Sequence, residues 1–294
     1  MQSRIINRAA VCFCAMLAAA AAGISEPAEH ENSEPAVHEN SKPAAHENSK
    51  PAALTALAVM QKADSVEKGD TGTYTAVMTL TNKKGGVRVR EVVCYMKDYG
   101  DTDKTVIVFR TPKDVAGVGY LMWEYEDAAD GREKDADRWL YMPAMKKIRR
   151  ISGSGSGDDF MGTDFTYEDI GDRGLSKDTF VLLGTENVGG TECRKVECTA
   201  KNANEKNPRR ILWIRADNYL LQKAEFYDRQ NNLQRTLTCS DIAMIDGIWT
   251  TGKMFMENVQ TGHSTLLEMK DVRYNVDIDD SLFTAAALER GTIR

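Results

Sequence analysis

Thr73-Tyr-Thr-Ala-Val-Met-Thr-Leu80 alternates in the manner of a half-buried strand, with Tyr74, Ala76, Met78 and Leu80 on one face. Asn82-Lys-Lys-Gly-Gly86 supplies turn residues, and Val87 to Lys97 resumes the alternation with Val87, Val89, Val93 and Tyr95 together. The same pattern continues outward at Lys104 to Arg110, Gly119 to Tyr125 and Arg138 to Met142. Beyond a long interruption it returns at Phe180 to Gly184, Thr191 to Lys201, Arg209 to Arg215 and Leu220 to Asp228. Leu233 to Ile242, Ile248 to Asn258 and His263 to Tyr274 complete the series. Turns such as Asn187-Val-Gly-Gly190 and Asp246-Gly247 are short, which predicts an antiparallel meander, either strongly curved or closed into a barrel. No strand–helix–strand alternation is present, so a parallel nucleotide-binding sheet is not expected.

The one helix legible near the start runs from Leu54 to Lys68, where Leu54, Leu57, Ala58, Ala63 and Val66 approximate a 3.6-residue period and Gly69 ends it. The interruption, Ile148 to Gly174, opens with Ser152-Gly-Ser-Gly-Ser-Gly157 and continues Asp158-Asp-Phe-Met-Gly-Thr-Asp-Phe-Thr-Tyr-Glu-Asp-Ile170. A connection of that length is usually functional or mobile. Phe160, Met161, Phe165 and Tyr167 give it too much apolar surface for a solvated loop, so a plug or lid against the sheet is predicted. The acids Asp158, Asp159, Asp164, Glu168 and Asp169 fit no calcium-loop spacing, and capping or solvation is the expectation for them. Lys146, Lys147, Arg149 and Arg150 form a basic cluster beside this segment. It reads as a solvated strand end, or as a contact for an anionic headgroup or an acidic partner.

Upstream, Arg4 and Arg8 precede an apolar run from Ala9 to Ala22, as in a cleavable export signal over 1–22. Cys12 and Cys14 within that run lack the usual lead-in for lipid attachment, so cleavage near Ala22 is the expectation. Residues 23–53 carry an octapeptide repeat, Ser25-Glu-Pro-Ala-Glu-His-Glu-Asn32 and its copies, whose proline and charge predict a disordered linker. Its histidines, His30, His38 and His46, recur with the repeat and could hold a metal loosely, but a flexible tether with incidental histidines is the expectation. Residues 54–294 are then one domain. An exported chain can oxidise its thiols, and Cys94, Cys193, Cys198 and Cys239 allow three pairings or none.

Several chemistries are discounted. A formal net charge of -6 opposes nucleic-acid binding, which needs clustered positive charge. Outside the repeat the only histidine is His263, read as a solvated loop residue; a hydrolase triad or a zinc centre needs more. The Gly-Ser run does not end in Gly-Lys-Ser/Thr, so it is no phosphate loop. No enzyme, cofactor or metal is therefore expected. The 13 methionines suit a cavity that accepts flexible chains, and equally an ordinary core.

Trp139-Leu-Tyr-Met-Pro-Ala-Met-Lys-Lys-Ile-Arg-Arg-Ile151, followed by Asp159-Phe-Met-Gly-Thr-Asp-Phe-Thr-Tyr-Glu-Asp169, closely resembles the bacterial outer-membrane lipoprotein-sorting family, the LolA/LolB-like proteins. Phe109-Arg-Thr-Pro-Lys-Asp-Val-Ala-Gly117, Leu212-Trp-Ile-Arg215 and Glu225-Phe-Tyr-Asp228 agree with it. The resemblance implies a mainly β (α+β) fold, a strongly curved antiparallel sheet or incomplete β-barrel whose open side is covered by a helical lid. It implies a periplasmic, non-enzymatic carrier of lipid or acylated lipoprotein cargo, serving between an inner-membrane transporter and an outer-membrane acceptor. Cavity-lining positions are then expected among Tyr74, Ala76, Met78, Trp123, Trp139, Tyr141, Trp213, Phe226, Trp249 and Met254, under a lid of Phe160, Met161, Phe165 and Tyr167. Arg149 and Arg150 become candidates for the arginine that latches such lids. The rival expectation is a cell-envelope interaction module with a solid core.

Overall fold

Alternation is realised almost everywhere it was legible. The computed structural model describes residues 54–125, 134–291 and 293; the expected signal and repeat lie outside them. After helix α1 (Ala56–Asp64) come strands β1 (Thr71–Thr81), β2 (Val87–Asp98), β3 (Thr102–Thr111), β4 (Gly119–Tyr125), β5 (Asp137–Met142) and β6 (Lys147–Ile151). The connecting segment 152–177 holds only three short 3-10 turns. Then follow β7 (Asp178–Val188), β8 (Thr191–Ala200), β9 (Arg209–Arg215), β10 (Leu221–Tyr227), β11 (Leu233–Ile245), β12 (Ile248–Asn258) and β13 (His263–Tyr274), and finally helix α2 (Ala285–Arg290).

The 13 strands among the described residues form one antiparallel sheet in the order β6-β5-β4-β3-β2-β1-β13-β12-β11-β10-β9-β8-β7. The first strand thus meets the last in the middle, and the free edges are β6 and β7. The sheet is curved and unclosed, and segment 152–177 runs between its edges. Its cover on the inner face is an irregular strap of turns, joined over β8 and β9 by helix α1.

The strap makes one face of the sheet the inner face. On it, Tyr74, Val92, Phe109, Tyr120 and Leu140 from β1 to β5 pack with Phe160, Phe165, Tyr167 and Ile170 of the strap. The outer face of β3 to β6 is not solvated either. Val106, Val108 and Leu121 are covered by Ile278, Phe283, Ala287 and Leu288 of the C-terminal tail. Gly119 permits this: a Cβ there would lie 2.7 Å from Leu288. A strand sandwiched between two apolar layers reads as a continuous apolar run, which is why Val106-Ile-Val-Phe109 shows no alternation.

Helix α1 is shorter than its sequence pattern and buries a different stripe. Thr55 caps it by accepting from the Ala58 N–H at 3.1 Å. Ala56, Val59 and Ala63 face Val196, Cys198 and Ile214 on the inner side of β8 and β9, while Leu54 and Leu57 are exposed. Packing against the sheet, rather than the period through the leucines, selects the buried face.

Candidate functional site

Strap and sheet do not meet everywhere. Between α1, the strap and the inner faces of β7 to β12 lies a cavity of about 250 Å³. Its walls are Leu212, Phe226, Leu237, Met254 and Met256 from the sheet, Met60 and Ala63 from α1, and Phe165 from the strap. Cys198 and Cys239 also line it, and burial pushes both thiols up to about 12, so they remain protonated apolar lining at neutral pH.

The strap is held down by a set of buried polar contacts. Its core is a hairpin-like loop in which the Phe160 N–H donates to the Phe165 carbonyl at 2.7 Å and the Tyr167 N–H to the Asp158 carbonyl at 3.1 Å. Met161 and Gly162 turn it with positive φ, +50° and +74°. Phe160 is fully buried against Phe109, Tyr120 and Tyr167, with ring centroids 6.0, 5.3 and 5.4 Å away. Arg90 of β2 donates to the Met161 carbonyl.

Arg235 of β11 provides the central fastening. It is 2% exposed, and its Nη1 donates to the Asp164 carbonyl at 2.8 Å and the Asp169 carboxylate at 2.5 Å. Its Nη2 donates to Asn207 Oδ1 at 2.7 Å, and the guanidinium lies 4.5 Å from the Phe226 ring centroid. Burial opposes ionisation of Asp169, but the Arg235 charge and hydrogen bond, with those from Thr166, hold its pKa below the usual range. Asp164 is fastened separately to β13, where the Thr265 hydroxyl donates to its carboxylate at 2.7 Å and His263 Nδ1 lies 2.7 Å away. At the strap's end, Arg173 bridges Asp178 at 2.8 Å, Glu168 at 2.5 Å and Glu205 at 2.7 Å, and Arg210 also reaches Asp178. These groups form one end of the cavity.

A second buried polar cluster anchors the strap to β4. The Asp172 N–H donates to Glu124 at 2.6 Å, and Lys68 lies 3.4 Å from the Asp172 carboxylate. Burial pushes Glu124 up to about 7 and raises Asp172 as well. Only glycine fits at 171, since a Cβ there would stand 2.3 Å from Glu124 Oε1.

Placement divides the expected cavity residues. Phe226 and Met254 line the cavity. Tyr74, Ala76 and Met78 lie on the same face but inside the solid part of the core. Trp123, Trp139 and Tyr141 point the opposite way, into the layer under the C-terminal tail; Trp123 Nε1 donates to the Phe283 carbonyl at 3.2 Å. Trp213 is also on the outer face, beneath Lys195 and Lys223 at 4.7 and 4.2 Å from its ring. Trp249 packs beside Val66 and Leu220. Of the strap residues, Phe160, Phe165 and Tyr167 are buried and Met161 is half-buried.

The polar expectations shift too. Lys146, Lys147, Arg149 and Arg150 are exposed on the β5–β6 turn and edge strand and do not line this cavity. Arg149 hydrogen-bonds to Tyr167 of the strap and Arg150 pairs with Asp137, while Arg235, which the sequence did not single out, makes the buried fastening. Asp164 is buried and Asp169 half-buried, both bonded rather than solvated, and His263 is the partner of Asp164 at the start of β13. A buried carboxylate requires such partners. Cys94, Cys193, Cys198 and Cys239 are all buried free thiols. No helix among the described residues is long and apolar enough to cross a membrane.

Comparison with known proteins places this architecture. A family model described only as an uncharacterized protein matches residues 101–290, well over half of the chain. No curated protein matches. Among solved structures, a DUF1329 family protein from Desulfovibrio piger is 33% identical over 79% of this chain and 95% of its own, with a TM-score of 0.70. A domain from Vibrio parahaemolyticus assigned to outer-membrane lipoprotein sorting is 28% identical over 80% of this chain and 98% of its own, at 0.72. A LolA superfamily protein from Nitrosomonas europaea shares the fold at 19% identity, covering 80% of this chain and all of its own, at 0.61. The strand pattern, the unclosed sheet and these likenesses agree that the chain belongs to the DUF1329 family of LolA/LolB-like proteins.

Proposed function

We propose that this domain carries the acyl part of a lipid or lipoprotein in its cavity, in the periplasm, for outer-membrane lipoprotein sorting or lipid transport. The observation that carries the reading is an apolar hollow beneath a strap that is fixed to both sheet edges yet fastened between them by polar contacts. An apolar cavity of about 150 Å³ admits benzene, so about 250 Å³ admits on the order of ten chain carbons. At roughly 0.8 kcal/mol per CH₂ removed from water, that is on the order of 8 kcal/mol, enough to compete with a membrane for one tail. Transfer of this kind needs no bond-making step, and we read the domain as a non-enzymatic carrier. Loading requires the strap or α1 to move aside, a shift between two states that cargo biases. In this reading an inner-membrane transporter supplies cargo and an outer-membrane acceptor receives it. The exposed Lys146, Lys147, Arg149 and Arg150 are proposed to meet such a partner.

Delipidated protein titrated with a fluorescent fatty acid tests the proposal. Saturable binding is expected, and Leu237→Trp, which fills the hollow, should abolish it while the fold persists by circular dichroism. Binding that never saturates, or that survives the filled hollow, would point instead to an interaction module.

A further inference from the structure

Beside the apolar cavity, and sharing Gly157, Glu168, Glu205 and Lys206 with it, opens a polar bowl of about 1190 Å³. The bowl is nearly five times the volume of the hollow it adjoins. Its described lining offers serine and amide groups such as Ser154, Ser176, Asn202 and Gln230, and no aromatic ring. Among the described lining residues six carboxylates face four cations, an excess of two negative charges. Cations at the shared threshold are already engaged. Lys206 is held by Asp159 at 2.7 Å, and Arg173 is surrounded by Asp178, Glu168 and Glu205. Arg229 donates to the carbonyls of Asn204 and Glu205.

Resting on the carrier reading, we propose that the cargo enters with a single hydrocarbon tail and presents a large head of no net charge to the bowl. The small hollow sets the tail count, since a second chain would need volume that the walls do not leave. The bowl's size suits a bulky head with many donors and acceptors. Its excess of carboxylates disfavours a phosphate or carboxylate without a compensating positive group, because like charges repel across the bowl.

Isothermal titration of the full chain with soluble amphiphiles tests this at low salt. The probes are decanoyl lysophosphatidylcholine, decanoyl lysophosphatidylglycerol and dihexanoyl phosphatidylcholine, the last having two short tails. The zwitterionic single-tailed probe should bind tightest. The anionic one should be weaker by about three- to fivefold, as expected for two excess charges acting through water at roughly 8 Å. The two-tailed probe should fall more than tenfold behind. Asp135→Lys combined with Asp158→Lys, both exposed positions on the bowl, should reverse the headgroup order and leave the one-tail preference intact. Equal binding of one- and two-tailed probes, or a parent protein that prefers the anionic head, would overturn the inference and leave the carrier reading standing. Failure of every amphiphile to bind would overturn both.

Discussion

Replacing Arg235 by methionine removes the guanidinium that ties strap to sheet while preserving most of its length and apolar stem. Three hydrogen bonds disappear, at 2.5, 2.7 and 2.8 Å, and the half-buried Asp169 carboxylate loses its counter-charge and keeps the bond from the Thr166 N–H. Breaking a buried pair from one side costs about 3–5 kcal/mol, chiefly for the charge left behind. The cost should depend on pH in a definite direction. In the parent, Asp169 has a folded pKa below its unfolded one, so its contribution is present above the unfolded value and is lost as pH falls through the folded value. In the variant, burial without Arg235 raises the same carboxyl, and protonation relieves the penalty. Urea unfolding of both proteins at pH 8 and pH 5 should therefore show the full loss at the higher pH and a smaller one at the lower. The variant should also take up a fluorescent fatty acid faster, because the strap opens more often. A loss below about 1 kcal/mol, or one identical at both pH values, would refute the assignment of Arg235 as the fastening.

Phe160→Ala empties a fully buried site packed by three aromatic rings and should cost about 3–5 kcal/mol, lowering Tm by roughly 6–20 °C for a domain of this size in thermal melts. Glu124, pushed up to about 7, contributes stability that is fully present below its unfolded pKa and is lost as pH rises through about 7. Glu124→Gln should accordingly remove that decline, so that denaturation midpoints at pH 5 and pH 8 converge relative to the parent. Trp139→Phe and Trp213→Phe, both on the outer face, should leave fatty-acid affinity within about twofold in the same fluorescence titration, whereas a change of tenfold or more would contradict their placement.

The sheet was largely legible because its turns are short and most strands alternate. Which face of each strand looks inward was not. On β3 both faces are apolar, Ile107 and Phe109 inside and Val106 and Val108 outside, so periodicity carries no sign there. The signal that misled was size. Trp123, Trp139 and Tyr141 are large and apolar, but they are buried by a tail whose only helix, α2, spans six residues and leaves little periodic trace. The strap's burial could be read from Phe160, Phe165 and Tyr167, since aromatic rings in a loop need cover. Its fastening could not, because Arg235 lies 66 positions from Asp169 and 71 from Asp164, and nothing local marks the pairing. Asp164 was likewise indistinguishable from a solvated acid until Thr265 and His263 came beside it.

The meeting of β1 and β13 at the centre of the sheet has a consequence for how the domain is made. Eleven of the twelve strand neighbours are joined by consecutive stretches of chain and can form as soon as both partners exist. The remaining seam waits for β13, which ends at Tyr274 and is far along the chain from β1. Until then β1 offers a long unpaired ladder to any passing strand, and half-formed sheets with open ladders aggregate. Such distant pairing also slows folding. A chain truncated before β13 should therefore not yield a smaller working carrier, but two curved fragments with no zip between them.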